Sequence, residues 1–355
     1  MDKIALVVGA TGITGSHLAH ELVLSGWQTY GLARNPNFDL KGVQPIKADL
    51  LDKNSLRTAL QGINPTHVFF TTWMRKNTEA ENIMVNGAMV RNLLDVLSSK
   101  KSVQHVTLVT GLKHYLGPFE AYVKEGILPE TPVRETHPRL DFPNFYYAQE
   151  DEVYKAAARD GFNWNVHRPH TVIGKTEGNL MNMGTTLAVY ASICKESGRK
   201  FIWPGSEAQW NGISDVTDAS ILAKQLIWAT STEAAKNRAF NIANGDVFRW
   251  SWLWKRIADW FNITSEGYNG SIRPLEKQLS RDAGIWNDIA NRYGLKESNL
   301  SVLASPWHTD LDLGRPIEVM TDMSNSRMLG FKEYQNTEES FIRLFEQLRI
   351  DKIIP

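Results

Sequence analysis

The first half of the chain alternates short apolar runs with segments whose apolar residues recur with helical spacing. The apolar runs are rich in β-branched residues and predict strands at 4–8, 28–33, 43–48, 67–71, 106–109 and 163–167. The periodic segments predict helices at 16–25, 55–60, 82–97 and 146–158. Strands and helices in regular alternation are typical of an α/β protein with a doubly wound parallel sheet.

Beyond about residue 175 this alternation stops. Helices are predicted at 181–196, 218–228, 250–261 and 337–348, and short strands at 200–203, 213–215 and 239–242. The segment between the last two helices is polar, and no element is predicted there. We expect one domain formed by residues 1–175 with a returning segment at about 208–244. Residues 176–207 and 245–355 are expected to form a smaller, mostly helical C-terminal cap that binds substrate.

Composition narrows the functional classes. The chain has 39 Lys+Arg and 39 Asp+Glu, and this zero net charge argues against nucleic acid or a membrane surface as partner. No apolar run is long enough to span a membrane, and the N-terminus has no signal-peptide pattern. The single cysteine, Cys194, excludes an intrachain disulfide and favours a cytoplasmic location. Its surroundings predict an amphipathic helix in which the thiol is packed in the core.

Seven of the twelve tryptophans lie between Trp203 and Trp260. This clustering favours an aromatic core over an aromatic-walled pocket.

A glycine-rich loop joins the first predicted strand to the first helix. The sequence GATGITG places Gly9, Gly12 and Gly15 three residues apart. The first glycine permits a sharp turn, the second a close approach of the backbone to a pyrophosphate, and the third tight packing of helix on strand. A pyrophosphate would then face the positive end of the helix. The loop in this context predicts a Rossmann dinucleotide-binding domain.

The end of the second strand predicts which dinucleotide is bound. An acidic residue there favours NAD, but this chain has Arg34, which can pair with the 2′-phosphate of NADP. Asp49, after the third strand, is a candidate acceptor for the adenine amino group. An N-cap role for Asp49 in the following turn is an equally good interpretation.

The GATGITG spacing resembles the extended short-chain dehydrogenases/reductases, whose catalytic motif is Tyr-x-x-x-Lys on one helix. This chain departs from that motif, because Glu150 and Asp151 follow four residues after Tyr146 and Tyr147. Other segments, TGLKHYLGPFE at 110–120 and NFYYAQED at 144–151, resemble the progesterone 5β-reductase/iridoid synthase-like family. Shorter matches extend this resemblance to the C-terminus, at 166–169, 210–212, 240–248 and 351–355.

The resemblance implies NADPH-dependent 1,4-reduction of an activated enone, such as a cyclic enone or a steroid- or monoterpenoid-like carbonyl. It assigns the catalytic roles to Lys113 and Tyr146. Hydride addition to the β-carbon develops negative charge on the carbonyl oxygen, and the Tyr146 hydroxyl could stabilise that enolate. Lys113 would hold the nicotinamide ribose and lower the pKa of Tyr146. Tyr147 is expected to be a packing residue.

The resemblance also implies contacts for the cofactor and the substrate. For NADP(H) they are, beside the glycines, Ile13, Thr14, Arg34, Asn35, Asp49, Leu50, Thr72, Trp73, Val109, Val172, Asn179, Leu180 and Met181. The residues expected to contact the substrate are Trp73, Phe119, Tyr146, Trp307 and His308. Family members carry an aromatic pair ending in phenylalanine where Trp307 and His308 align. The C-terminal segment is expected to close over the nicotinamide side.

Two pairs of histidines are close in sequence, His17 with His20 and His167 with His170. Neither pair has a third ligand at a recognised metal spacing, so no metal is predicted. All four are interpreted as structural or surface histidines. Alternative functions are a carbonyl reductase or nucleotide-sugar epimerase, or a non-catalytic NADP(H)-sensing regulator. The missing Tyr-x-x-x-Lys motif argues against the carbonyl reductase and the epimerase. The retained Lys113 and Tyr146 argue against the regulator. The sequence is compatible with a homodimer without specifying one.

Overall fold

The strands are arranged around one large parallel sheet. The computed structural model describes residues 3–37, 40–117, 129–176 and 181–355. Its strands are β1 Ile4–Val8, β2 Gln28–Ala33, β3 Val43–Lys47, β4 His67–Phe70, β5 His105–Val109, β6 Asn163–Pro169, β7 Val172–Ile173, β8 Phe201–Ile202, β9 Thr217–Asp218, β10 Arg238–Ile242 and β11 Ser265–Glu266. Seven of these form the sheet, in the order β10-β6-β5-β4-β1-β2-β3. The predicted doubly wound α/β class is confirmed.

Helices connect and cover the strands. They are α1 Ile13–Leu24, α2 Lys53–Ala59, α3 Glu79–Ser98, α4 Lys113–Leu116, α5 Phe145–Asp160, α6 Met183–Ser197, α7 Glu207–Asn211, α8 Ala219–Ser231, α9 Trp250–Phe261, α10 Leu275–Gln278, α11 Ala283–Tyr293, α12 Leu300–Leu303, α13 Pro306–Leu313, α14 Ser324–Met328 and α15 Thr337–Ile350. None of the helices in the described ranges is long and apolar enough to cross a membrane.

Successive side chains along each strand point to opposite faces of the sheet, and both faces are apolar. In β1, Ala5 and Val7 belong to a core with α1 and α8, whereas Leu6 and Val8 belong to a second core with α2, α3 and α5. The chain runs outward from β1 to β3 and then returns to β4 on the other side of β1. Open α/β sheets bind ligands at such a reversal, beside the carboxyl ends of the strands.

A third core lies in the C-terminal half and is aromatic, as the tryptophan cluster predicts. Trp203, Trp250 and Trp254 are fully buried, and the ring of Phe201 stacks on Trp254 with centroids 3.9 Å apart. Cys194 is a buried thiol in this core, as expected. Its helix is not amphipathic, because every residue of α6 from 183 to 194 is buried.

Two predictions for the C-terminal half are wrong. Residues 213–215 form only isolated bridges at Ser214, and the short strand lies at Thr217–Asp218 instead. The polar segment after α9, where no element was predicted, contains the five helices α10 to α14. Asp310 shows why local patterning misses them. Its carboxylate accepts hydrogen bonds from the amides of Leu275 and Glu276, so a distant residue caps α10.

Candidate active site

A cleft of about 630 Å³ lies at the carboxyl ends of β1, β4, β5 and β6. It is lined by Gly9, Thr11, Gly12, Ile13, Thr14, Thr71, Thr72, Trp73, Val109, Thr110, Gly111, Leu112, Lys113, Tyr146, Pro169, His170, Thr171, Val172, Met181, His308, Asp312 and Arg315. The glycine loop, the proposed catalytic residues and α13 of the C-terminal part therefore border one space.

The glycine loop has the geometry of an anion cradle. Gly9 has φ +88°, and a Cβ there would lie 2.7 Å from the Cβ of Thr72. A Cβ on Gly15 would lie 2.1 Å from the carbonyl oxygen of Gly9, so this helix turn packs directly on the loop. Helix α1 begins at Ile13 and has no side-chain cap, which leaves its first amides to face the cleft. These features fit the pyrophosphate of a dinucleotide.

We expect Gly15→Ala to weaken dinucleotide binding by roughly tenfold or more, because the added methyl must displace the loop backbone. The measurement is the Kd for NADPH by fluorescence titration. Gly284→Ala is the matched control, since a Cβ at that helical position meets no atom within 4 Å. An unchanged NADPH Kd in Gly15→Ala would contradict the assigned role of the loop.

The predicted adenosine contacts lie beside the cleft. Arg34 and Asn35 are exposed directly after β2. Asp49 is exposed after β3, and its carboxylate accepts a hydrogen bond from the Leu51 amide at 2.9 Å. The N-cap of α2 is Asp52 instead, so Asp49 shapes the preceding turn but does not cap the helix.

Lys113 and Tyr146 come from different elements and are joined by a side-chain bridge. Lys113 begins α4, and Tyr146 is the second residue of α5. Asn144, the N-cap of α5, accepts a hydrogen bond from the Tyr146 amide at 3.0 Å. Its amide nitrogen donates to the carbonyl oxygen of Lys113 at 2.9 Å. This bridge fixes the spacing of the two helix starts.

Glu79, the first residue of α3, adds a second bridge that the sequence did not reveal. One carboxylate oxygen accepts from the Lys113 ammonium at 2.7 Å, and the other accepts from the Phe145 amide at 2.8 Å. The lysine is therefore paired with an anion beside the tyrosine. No local motif marks Glu79, because its partners lie 34 and 66 residues away.

This pairing changes the expected electrostatics of Tyr146. Burial raises the pKa of Tyr146 well above its ordinary value, and the Glu79 carboxylate raises this pKa further. The expectation that Lys113 lowers the pKa of Tyr146 is therefore wrong. The phenol is a neutral hydrogen-bond donor across the physiological pH range.

The hydroxyl of Tyr146 lies over a glycine. A Cβ on Gly111 would approach the hydroxyl oxygen to 3.2 Å, closer than ordinary packing allows. Phe145, the residue before Tyr146, packs against Trp73, with ring centroids 4.9 Å apart and planes inclined by 21°. Gly111, Trp73 and Tyr146 all line the cleft.

The position that carries lysine in ordinary short-chain dehydrogenases has the opposite charge and points elsewhere. Glu150 is 1% exposed and binds Arg168 at 3.2 Å and Arg139 at 2.8 Å. His114 lies 3.5 Å away. Burial raises the pKa of Glu150, but His114, Arg168 and Arg139 outweigh it and lower the pKa to about 2. Glu150 is thus a structural anion beneath the site.

The expected substrate contacts are only partly brought together. Trp73, Tyr146 and His308 line the cleft. Trp307 does not, and its ring lies under the guanidinium of Arg75 at 3.8 Å. Phe119, Asn179 and Leu180 lie outside the described residues. The other predicted cofactor contacts in the cleft are Thr72, Val109, Val172 and Met181.

Tyr147 and most of the histidines have structural contacts. The Tyr147 hydroxyl donates to the carbonyl oxygen of His114 at 2.6 Å, which agrees with a packing role. The ring of His17 bonds the carbonyl oxygen of Ile13, and His167 bonds Gln225. Within the described ranges no group of three His, Cys, Asp or Glu is arranged to hold a metal ion.

His170, Thr171, Asp312 and Arg315 line the cleft but were not predicted as site residues. His170 and Thr171 directly follow β6, so the rule that strand ends bear function could have found them. Asp312 and Arg315 lie at the end of α13 and just after it, where no sequence pattern points to the cleft.

Comparison with known proteins decides the family. Residues 47–355 match the PRISE-like Rossmann-fold domain. The chain belongs to this family. The chain is 38% identical to (S)-8-oxocitronellyl enol synthase from Camptotheca acuminata, covering 100% of this chain and 94% of that protein. It is 36% identical to 3-oxo-Delta(4,5)-steroid 5-beta-reductase from Arabidopsis thaliana, with the same coverage. The resemblance to the progesterone 5β-reductase/iridoid synthase-like family is confirmed.

Solved structures confirm the fold of this PRISE-like chain. UDP-glucose 4-epimerase from Thermotoga maritima superposes with a TM-score of 0.70 at 14% identity, covering 98% of this chain and 99% of that one. The UDP-glucose 4-epimerase of Thermus thermophilus, in complex with NAD, gives a TM-score of 0.69 at 15% identity, with the same coverage. At these identities the likeness concerns the fold alone.

Proposed function

We propose that the protein is an NADPH-dependent ene-reductase that reduces the C=C bond of activated enones. One observation carries the proposal: Tyr146 and Lys113 border the same cleft as the glycine loop. Family membership supports it, since the relatives named above include a steroid 5-beta-reductase and an oxocitronellyl enol synthase. When bound, NADPH supplies a hydride to the β-carbon of the substrate.

The residues of the chain would stabilise the charge that develops on the substrate. A neutral Tyr146 donates a hydrogen bond to the carbonyl oxygen, and this bond strengthens as enolate character grows. The raised pKa of Tyr146 suits a donor and does not suit a general base. Lys113, held by Glu79, would bind the nicotinamide ribose hydroxyls.

The alternative enzymes, a carbonyl reductase or a nucleotide-sugar epimerase, are less well supported because Glu150 replaces the motif lysine and is buried among arginines.

The test of the proposed function is NADPH oxidation, followed by absorbance, with 2-cyclohexen-1-one, cyclohexanone and UDP-glucose in separate reactions. We expect turnover with the enone only, and cyclohexanone as the product. An allylic alcohol would mean 1,2-reduction and would reject the proposal. NADPH binding without any turnover would favour the regulator.

We expect NADPH to be preferred over NADH, because Arg34 is an exposed cation at the end of β2. Arg34→Glu should weaken NADPH use by roughly tenfold or more, since the carboxylate repels the 2′-phosphate. The measurement is kcat/KM for both cofactors. Arg57→Glu, an exposed charge reversal on α2, is the control for a general charge effect. Equal use of NADPH and NADH by the unmodified protein would contradict the role of Arg34.

Three further expectations stay predictions. They are the cytoplasmic location, the homodimer, and the division into an NADP-binding domain and a substrate-binding cap. Sedimentation of the purified protein would test the second.

A further inference from the structure

The wall of the cleft formed by α13 and the residue pair after β6 is polar. Arg315 donates to the Nε2 atom of His170 at 3.0 Å and also pairs with the Asp312 carboxylate. Thr171 donates its hydroxyl to the other oxygen of Asp312 at 2.9 Å. All four residues line the cleft together with Tyr146. An apolar substrate would leave this wall facing hydrocarbon, which is costly for polar groups.

The hydrogen-bonding pattern of the wall is defined. Because Arg315 occupies Nε2 of His170, the ring proton lies on Nδ1 and is donated to Asp215 at 2.7 Å. Asp215 in turn accepts from the amide of Thr321 at 2.8 Å. His170 and Asp215 are both almost fully buried. Buried residues thus hold the guanidinium in place, as a preorganised binding group requires.

Unused hydrogen-bonding capacity remains at this wall. A guanidinium has more N–H groups than the two that His170 and Asp312 accept. The Nδ1 atom of His308 is buried and has no hydrogen-bond partner among the described residues. Burial lowers the pKa of His308, so its ring is neutral and offers one donor and one acceptor.

The charges of the wall favour a neutral ligand. The positive charge of Arg315 is balanced by Asp312, and Asp215 adds a further negative charge behind His170. A carboxylate or phosphate would therefore meet no surplus positive charge from these residues, whereas a hydroxyl could both donate and accept here.

We propose that Arg315, His308 and Thr171 form a subsite for a neutral oxygen substituent, such as a hydroxyl, on the part of the substrate remote from the C=C bond. This proposal rests on the proposed ene-reductase function and narrows its substrate class to oxygenated enones.

The test compares three enones that differ only at the far end: non-3-en-2-one, 9-hydroxynon-3-en-2-one and the analogue with a terminal carboxylate. We expect kcat/KM for the hydroxyl compound to exceed that for the methyl compound by about tenfold or more, the size of a hydrogen bond to a charged group. In Arg315→Met and His308→Phe this ratio should fall towards one. Arg256→Met, at an exposed position of α9, should keep it.

Equilibrium binding separates this proposal from the ene-reductase proposal. The saturated ketones nonan-2-one and 9-hydroxynonan-2-one are titrated calorimetrically into the NADP⁺-loaded protein, so no turnover is needed. Tighter binding of the hydroxyl ketone supports the subsite even if every enone is inert. Equal binding of the two ketones, or a preference for the carboxylate, overturns it. A weaker NADPH Kd in Arg315→Met would assign the wall to the cofactor and also overturn it.

Discussion

Tyr146→Phe is expected to lower kcat for 2-cyclohexen-1-one by about 10–1,000-fold, the upper part of which is the loss of about 100–1,000-fold found when one oxyanion donor is removed. The substitution removes the hydroxyl over Gly111 and keeps the ring that packs against Phe145. The Kd for NADPH should therefore change little. A strongly activated enone should lose less rate, because its enolate needs less stabilisation.

Steady-state kinetics, NADPH titration and product analysis test this prediction together. Tyr147→Phe is the matched control, since its hydroxyl bonds the His114 carbonyl and does not line the cleft. It should keep kcat and reduce stability by about 1 kcal/mol. An unchanged kcat in Tyr146→Phe would remove this residue from the mechanism.

The raised pKa of Tyr146 also has a pH consequence. The donor form exists below the folded pKa, which lies above the ordinary value of 10.0, so deprotonation of Tyr146 should not reduce kcat between neutral pH and pH 10.0. A loss of kcat near neutral pH that disappears in Tyr146→Phe would contradict this.

The second large effect concerns stability. Glu150→Ala should lower the free energy of unfolding by about 3–5 kcal/mol, because it leaves the buried guanidinium of Arg168 without its anion. Denaturant unfolding measures the effect. Glu152→Ala on the same helix is the control, since its partner Arg91 is 52% exposed and such pairs contribute about 1 kcal/mol or less. Equal losses in the two variants would show that the buried network is not specially stabilising.

Acid titration gives the same network a second test. The pKa of Glu150 is lowered from 4.5 to about 2, so its contribution to stability is present above pH 4.5 and is lost as pH falls towards 2. The pH dependence of unfolding between these values should be shallower in Glu150→Gln. Parallel curves would contradict the assigned pKa.

Local patterning predicted the elements whose ends are set by their own residues. The bounds of β1, β2 and α9 agree with the periodicity because each is an uninterrupted apolar or amphipathic segment. The short helices after α9 were missed, since α10 is capped by Asp310 from a distant position. The periodicity of apolar residues cannot reveal a helix end that is set by a side chain distant in the sequence.

The same distinction applies to the site. The glycine loop and the family segments identified Gly9, Gly12, Lys113 and Tyr146, which the structure places around one cleft. Glu79 and Arg315 were missed because their roles arise only when α3, α5 and α13 pack beside the strand ends. The predicted direction of the Tyr146 pKa shift was also wrong, because burial and, to a smaller extent, the Glu79 carboxylate raise this pKa.

The buried position of Glu150 means that a single substitution cannot give this chain the ordinary dehydrogenase mechanism. Glu150→Lys would recreate the Tyr-x-x-x-Lys spacing in a single step. The new ammonium, however, would stand between Arg168 and Arg139, where the carboxylate now lies, and not beside a ribose. Like charges in such a place are strongly destabilising. Conversion of this chain to the ordinary dehydrogenase arrangement would therefore require replacement of Arg168 and Arg139 as well as of Glu150.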